Sequence, residues 1–322
     1  MRRREFMTLL GGATAWPLAA GAQEAGRIYR LGVLSPGPKA APFNAAFFDE
    51  LRVFGFVDGM NLKVNGDGFG LRDEQLAETV TAMAKSPPDV IFCAAVTHMR
   101  AAQEAMPVVP IVGLATDMVA TGLVKSLARP GGNITGISLF SPELNGKRQD
   151  IMIEAVPGAR RMAMLAEATG TEPQQLKALQ DAGRARGIEI AIFTIRTPEE
   201  IAPATNEIKA SGAAAINVLS SPLLYVNRRL VIERAAALRL PAIYEWPEMA
   251  EEGGLIAYGA RLSGISRQAA RMVIKVLRGT KPAVIAVEQP TNFEMVINLK
   301  TARAIAHEIP AGLVLRADKI ID

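Results

Sequence analysis

Residues 213–244, AAAINVLSSPLLYVNRRLVIERAAALRLPAIY, contain a strand, a helix and a second strand in succession. The apolar run Ala213 to Leu219 reads as a strand that stops at Ser220, Ser221 and Pro222, the segment from Leu224 to Arg239 as a long helix, and Pro241 to Tyr244 as the next strand. Two strands joined through a helix belong to a parallel sheet, because a parallel pair needs a crossover and a hairpin turn cannot supply one.

Working outward, the same alternation covers nearly the whole chain. Toward the N-terminus, strands are expected at Tyr29 to Leu34, Leu62 to Val64, Asp89 to Cys93, Val109 to Leu114 and Ile134 to Phe140. Helices fall between them, one carrying Phe47, Leu51 and Phe54 on a single face, the others at Leu76 to Met83 and Ala101 to Met106. From Glu143 the pattern restarts: a helix to Val156, a strand at Met162 to Leu165, a helix at Gln174 to Arg186, a strand at Ile188 to Ile195 and a helix at Pro198 to Ala210. Beyond the quoted unit, Ile265, Ala269, Met272, Val273, Val276 and Leu277 mark one face of an amphipathic helix closed by Gly279 and Pro282. Late strands are expected at Val284 to Val287 and Phe293 to Ile297, and a last helix near Thr301 to His307. Two halves of similar pattern imply two similar α/β lobes. No Ser-, Gly- or Pro-rich tract separates them, so several short crossings are expected in place of one flexible linker.

The first residues bear on location. Arg2, Arg3 and Arg4 precede Phe6, a short Gly-interrupted apolar stretch and the small-residue site Ala20-Gly21-Ala22. Residues 1–22 therefore read as an export signal of twin-arginine type, cleaved after Ala22 and too short to span a bilayer. Its removal takes three of 36 basic and one of 32 acidic residues, leaving 33 against 31, a net charge of +2. With no basic block in the body of the chain, nucleic-acid binding is excluded. The single cysteine, Cys93, lies in an apolar run and reads as a buried, inert thiol. Without a cysteine at the cleavage site there is no lipid anchor, and the mature form is expected to be free in the periplasm, with no direct membrane insertion.

Signatures of catalysis are absent: no G-x-S-x-G, no phosphate loop, no H-E-x-x-H, and two histidines, His98 and His307, too few for a histidine-rich metal centre. No cofactor is expected. Polar residues recur at one place instead, just after strands and before helices, which in open parallel sheets is the ligand-binding edge. The first half offers Ser35, Thr97 with His98, and Thr116 with Asp117; the second offers Glu167 with Thr169, Ser220 with Ser221, and Glu245 with Trp246. Each hydroxyl alone reads as a helix cap. Together they line one cleft.

Three segments carry a family resemblance: PIVGLATDMVATGLVKSLARPGGNITGIS at 110–138, SSPLLYVNRRLVIERAAALRLPAIYEWPEMAEEGGLIAY at 220–258 and VEQPTNFEMVINLK at 287–300. They resemble the exported substrate-binding proteins of ABC transporters, in the subfamily with tryptophan- and phenylalanine-binding members, colinearly from Tyr29 to Asp322. The resemblance implies a type I periplasmic binding fold with three crossings, near Ser141, Gly259 and Pro290. Lobe 1 would be 27–140 plus 260–289, and lobe 2 would be 141–259 plus 290–322. It also implies ligand contacts at Ser35, in the Val96-Thr97-His98 turn and at Asp117 from lobe 1, and near Glu167, Ser221 and Trp246 from lobe 2. Relatives have Gly-Thr-Pro in place of Val96-Thr97-His98 and an Asn-Pro type of turn near Glu167, which bears on the pocket's shape.

The expected ligand is a small amine-bearing acid, such as an amino acid, with its ammonium on Asp117 and its side chain against Trp246 or Tyr244. Glu167 and Glu245 are two further acids that either face this cleft or stand as solvated rim residues. The expected partners are a membrane permease and its ATPase subunit. Two rival readings stand beside transport: an exported ligand sensor feeding a signalling receptor, and a periplasmic enzyme using Asp117, Glu167 and Glu245 for acid–base work.

Overall fold

The computed structural model describes residues 26–139, 141–169 and 172–322. The expected export signal at residues 1–22, and Phe140 at the expected end of a strand, lie outside the described residues.

The first sheet contains β1 (Tyr29–Leu34), β2 (Leu62–Val64), β3 (Val90–Cys93), β4 (Ile111–Ala115) and β5 (Ile134–Ser138), ordered β2-β1-β3-β4-β5 and parallel throughout. Strands β3, β4 and β5 are buried along their full length, as expected of a sheet covered on both faces. The second sheet contains β6 (Arg161–Glu167), β7 (Glu189–Ile195), β8 (Ile216–Val218), β9 (Ala242–Tyr244), β10 (Ile256–Gly259), β11 (Glu294–Asn298) and β12 (Lys319–Ile321), ordered β12-β11-β10-β9-β8-β6-β7. It departs from the expected all-parallel pattern at one pair, β10 with β11, which is antiparallel.

Helices follow the strands: α1 (Pro42–Val53), α2 (Asp73–Ala84), α3 (Val96–Ala105), α4 (Ser141–Ala155), α5 (Pro173–Ala185), α6 (Ile201–Ala210), α7 (Pro222–Val226), α8 (Arg228–Ala237), α9 (Pro247–Glu251), α10 (Leu262–Leu277), α11 (Leu299–Ala304) and α12 (Ala311–Val314). The chain passes from the first sheet to the second between β5 and α4. It returns after β10, because α10 packs its apolar face on α1, β3, β4 and β5. It leaves again before β11, just past a single bridge from Glu288 to Ile137 of β5.

Four local differences from expectation have physical causes. The long helix at 224–239 is two helices: Pro222 starts α7 with Ser221 as its cap, and Asn227, at φ −97° and ψ 19°, breaks the run while its amide donates back to the Leu223 carbonyl. The strand expected at Val284 to Val287 is a 3₁₀ turn at Pro282–Val284 followed by edge contacts, since only Ile285 and Val287 find apolar cover while Val284 is exposed. Helix α3 starts at Val96, five residues before the expected Ala101, which decides where Thr97 and His98 point. The short elements α9, β10, α12 and β12 were not expected from the apolar pattern; each is only three to five residues long, below the span over which periodicity can be read.

Close sheet packing needs glycine at one register pair. Gly136, at φ 149°, faces Gly113, and a Cβ there would stand 1.9 Å from the Gly113 carbonyl oxygen. Cys93 on β3 is fully buried, and burial pushes its thiol far above the ordinary range. A thiol reagent should therefore label no cysteine in the native protein and one after denaturation. Rapid native labelling would show that β3 is open to solvent.

Candidate functional site

Between the two sheets lies a cavity of about 740 Å³, within the range of small-molecule sites. Its walls come from the C-terminal ends of strands in both sheets, where loops enter helices. Thr97 begins α3 after β3, and Thr116 with Asp117 follows β4. Opposite them stand Glu167 at the end of β6 with Thr169, Ser220 and Ser221 after β8, and Glu245 with Trp246 after β9.

Three of the expected contact residues do not line this cavity. Ser35 is fully buried, and its hydroxyl accepts the Gly37 N–H at 3.3 Å, closing the turn after β1; its neighbour Pro36 reaches the wall. His98 is buried at 1% exposure, because the early start of α3 leaves Thr97 open to the cavity and turns the next residue inward beside Met99. Tyr244 is also buried at 1%, with its ring against Gly254, where a Cβ would come within 2.6 Å of it.

The cavity also draws on residues not singled out in the sequence. Phe43, on the first turn of α1, meets Tyr225 of α7 edge-on at 6.0 Å, and Tyr225 meets Trp246 edge-on at 6.3 Å. Such pairs contribute about 0.5–1.5 kcal/mol each beyond their buried area. Phe43 comes from α1, after β1 of the first sheet, while Tyr225 and Trp246 follow β8 and β9 of the second, so the trio joins the two halves across the cleft. Burial pushes the Tyr225 phenol up to about 12, although the Arg228 guanidinium 4.7 Å from its ring pulls the other way. The phenol is thus neutral at physiological pH. A sequence signal for Tyr225 existed in Ser221-Pro222, a cap followed by proline at N1, which fixes the start of α7 and hence its facing side.

The acids are held in different ways. Asp117 accepts the N–H groups of Val119 and Ala120 on Oδ1, each at 2.9 Å, and so serves as a turn cap. Glu167 accepts the Thr169 hydroxyl on Oε1 at 3.1 Å and the Ser221 hydroxyl on Oε2; Ser221 in turn accepts the Leu224 N–H at 3.1 Å as the α7 cap. Glu245 is only 7% exposed. Burial raises its carboxyl above the ordinary carboxylate range, opposed by the charge of Arg148 and a hydrogen bond from Ser220.

Arg148 was not anticipated. It lies in the middle of α4 and is fully buried behind the cavity wall, its Nη1 donating to the Tyr258 carbonyl at 3.0 Å and its Nη2 to Asn145 Oδ1 at 2.5 Å and Ser220 Oγ at 3.0 Å. Burial depresses its guanidinium to about 10, against the pull of Glu245. Among the described residues no cluster of His, Cys, Asp and Glu could hold a metal, and no helix is long and apolar enough to cross a membrane.

Two α/β sheet units closing a ligand-sized cleft, with walls from both units and three chain passages between them, define a type I periplasmic binding fold. The chain belongs to the ABC transporter substrate binding protein family, whose model matches residues 41–321. That family is one of solute-binding proteins and not a class of enzymes. A tyrosine-binding protein of Clostridioides difficile (strain R20291) is 26% identical over 267 residues, covering 80% of this chain and 75% of that protein. Among solved structures, a conserved domain protein from Vibrio cholerae superposes with a TM-score of 0.82 at 22% identity, covering 91% of this chain and 99% of that one. An ABC domain from Streptococcus pneumoniae in complex with L-Trp gives 0.81 at 22% identity, covering 91% and 100%. At that identity the two structures speak for the fold alone.

Proposed function

We propose that this protein is the exported solute-binding component of an ABC importer, closing two lobes around a small amine-bearing acid with an apolar side chain. The observation that carries the reading is the cavity itself, walled by polar residues of both sheets and by the Phe43, Tyr225 and Trp246 rings. A solute touching both walls gains its second set of contacts only when the lobes meet, so binding favours the closed form. The lobes are taken as 27–140 plus 260–289 and 141–259 plus 290–322. Ligand contacts are assigned to Thr97, Thr116, Asp117, Glu167, Thr169, Ser220, Ser221 and Trp246, all at the cavity wall.

The aromatic wall and the relatives named for tyrosine and L-Trp support an aromatic amino acid. Export rests on the signal-like residues 1–22, and the permease and ATPase as partners rest on the family. ATP hydrolysis then belongs to the partners, and this chain delivers the closed, loaded form.

A thermal-shift screen of the amino acids tests the reading. A ligand at 100 times its dissociation constant stabilises by about 2.7 kcal/mol. For a chain of this size that moves the melting temperature by several degrees, and an aromatic amino acid should give the largest shift. A flat response to the whole panel, with turnover of one member, would overturn it.

A further inference from the structure

The cavity wall carries four acids, Asp117, Glu167, Glu172 and Glu245, and one cation, Arg100. Three of the acids are engaged or peripheral. Asp117 caps its own turn, Glu245 faces the buried Arg148, and Glu172 is exposed where the chain enters α5. Glu167 differs. Among the described residues its carboxylate is held by two hydroxyls and by no cation, and it stands at the end of β6 inside the cleft. Hydroxyl donors on both oxygens fix the carboxylate in place. The donor Ser221 also caps α7, and Tyr225 follows it by four residues, one helical turn further on. One short segment thus carries both the hydroxyl that anchors the Glu167 carboxylate and, one helical turn on, an aromatic ring of the same wall.

We propose that Glu167 is the specificity-determining residue of the cleft and receives a primary ammonium, so that the site takes arylalkylamines and aromatic amino acids and rejects the matching acids that lack nitrogen. This rests on the reading of the cavity as a solute site. A nitrogen-free carboxylate would place a second negative charge beside a fixed one, while an ammonium completes a charge-assisted hydrogen bond.

Calorimetric titration of the full chain with L-tyrosine, tyramine and 3-(4-hydroxyphenyl)propionate, and with the tryptophan series of the same three types, tests it. The amino acid and the amine should bind at least about 10-fold more tightly than the propionate, with 10- to 100-fold as the span for one hydrogen bond to a charged group. Glu167→Gln should remove that preference by weakening the amine-bearing probes, and Glu167→Asp should keep it; unchanged melting of the ligand-free variants reports an intact fold. Equal binding of L-tyrosine by Glu167→Gln and the wild type, or tighter binding of the propionate by the wild type, overturns the assignment and leaves the solute-binding reading intact. Binding of neither this series nor any other amino acid overturns both.

Discussion

Arg148→Ala should destabilise the folded protein by about 3–5 kcal/mol, read as a lower urea midpoint, because it empties the space of a fully buried side chain and leaves three acceptors without their donor. Arg148 has no exposed surface, and its guanidinium joins Asn145, the Tyr258 carbonyl and Ser220, the hydroxyl that also bonds Glu245. Desolvation is the largest influence on both groups, pulling Arg148 down and Glu245 up, and the charge of each opposes the shift of the other. The two single changes, Arg148→Met and Glu245→Leu, should therefore each cost several kcal/mol, while the double change costs much less than their sum. Additive losses would mean that the two charges do not act as a unit.

The pH dependence follows with a definite sign. Without Arg148, the attraction that opposes the rise of the Glu245 pKa is gone, so the variant's Glu245 takes up a proton at higher pH than the wild type's. A carboxyl whose folded pKa stands above its reference of 4.5 favours the folded state below that value and loses the benefit as pH rises through the folded pKa. Arg148→Met should thus regain part of its lost stability on going from pH 8 toward pH 5, relative to the wild type.

This buried pair also shows what the sequence could and could not reveal. Strand and helix alternation was legible because each parallel strand is an apolar run and each crossover helix has one apolar face, and the same grammar placed polar residues at the cleft edge. Thr97, Thr116, Asp117, Glu167, Thr169, Ser220, Ser221 and Trp246 all reach the cavity for that reason. Arg148 was illegible because it sits in the polar run Asn145-Gly146-Lys147-Arg148-Gln149-Asp150, which reads as a solvated helix face. Its burial is decided by Ser220, Glu245 and Tyr258, residues more than 70 positions away. The meeting of Phe43 with Tyr225 is equally non-local, since no periodicity within α1 or α7 records what stands across the cleft. His98 stands off the cavity wall for a local reason: a helix start five residues earlier than expected changes which neighbour faces the cleft.

Gly259→Ala should cost about 3 kcal/mol or more and weaken ligand binding with it. Gly259 ends β10, pairs with Glu294 on β11 and precedes the second chain passage between the sheets. A Cβ at this position would stand 2.0 Å from the Glu245 carbonyl oxygen and 3.2 Å from its carbonyl carbon. Those are backbone atoms, which cannot swing aside as the end of a flexible side chain can, so β10 and the segment after β9 must separate. Overpacking of a core typically costs about 1–3 kcal/mol, and a contact this short belongs at or beyond the upper end. The segment pushed away carries Glu245 and Trp246 on the cavity wall, and Arg148 Nη1 lies 3.9 Å from the same added carbon. Stability and affinity should therefore fall together. Gly264→Ala supplies the contrast: Gly264 lies in α10 with nothing within 4 Å of the added carbon, so the change should stabilise by about 0.5–1 kcal/mol through helix propensity alone. Urea denaturation and a ligand titration of both variants separate the cases, and a Gly259→Ala protein as stable as the wild type would mean that β10 and the Glu245 backbone are not in contact.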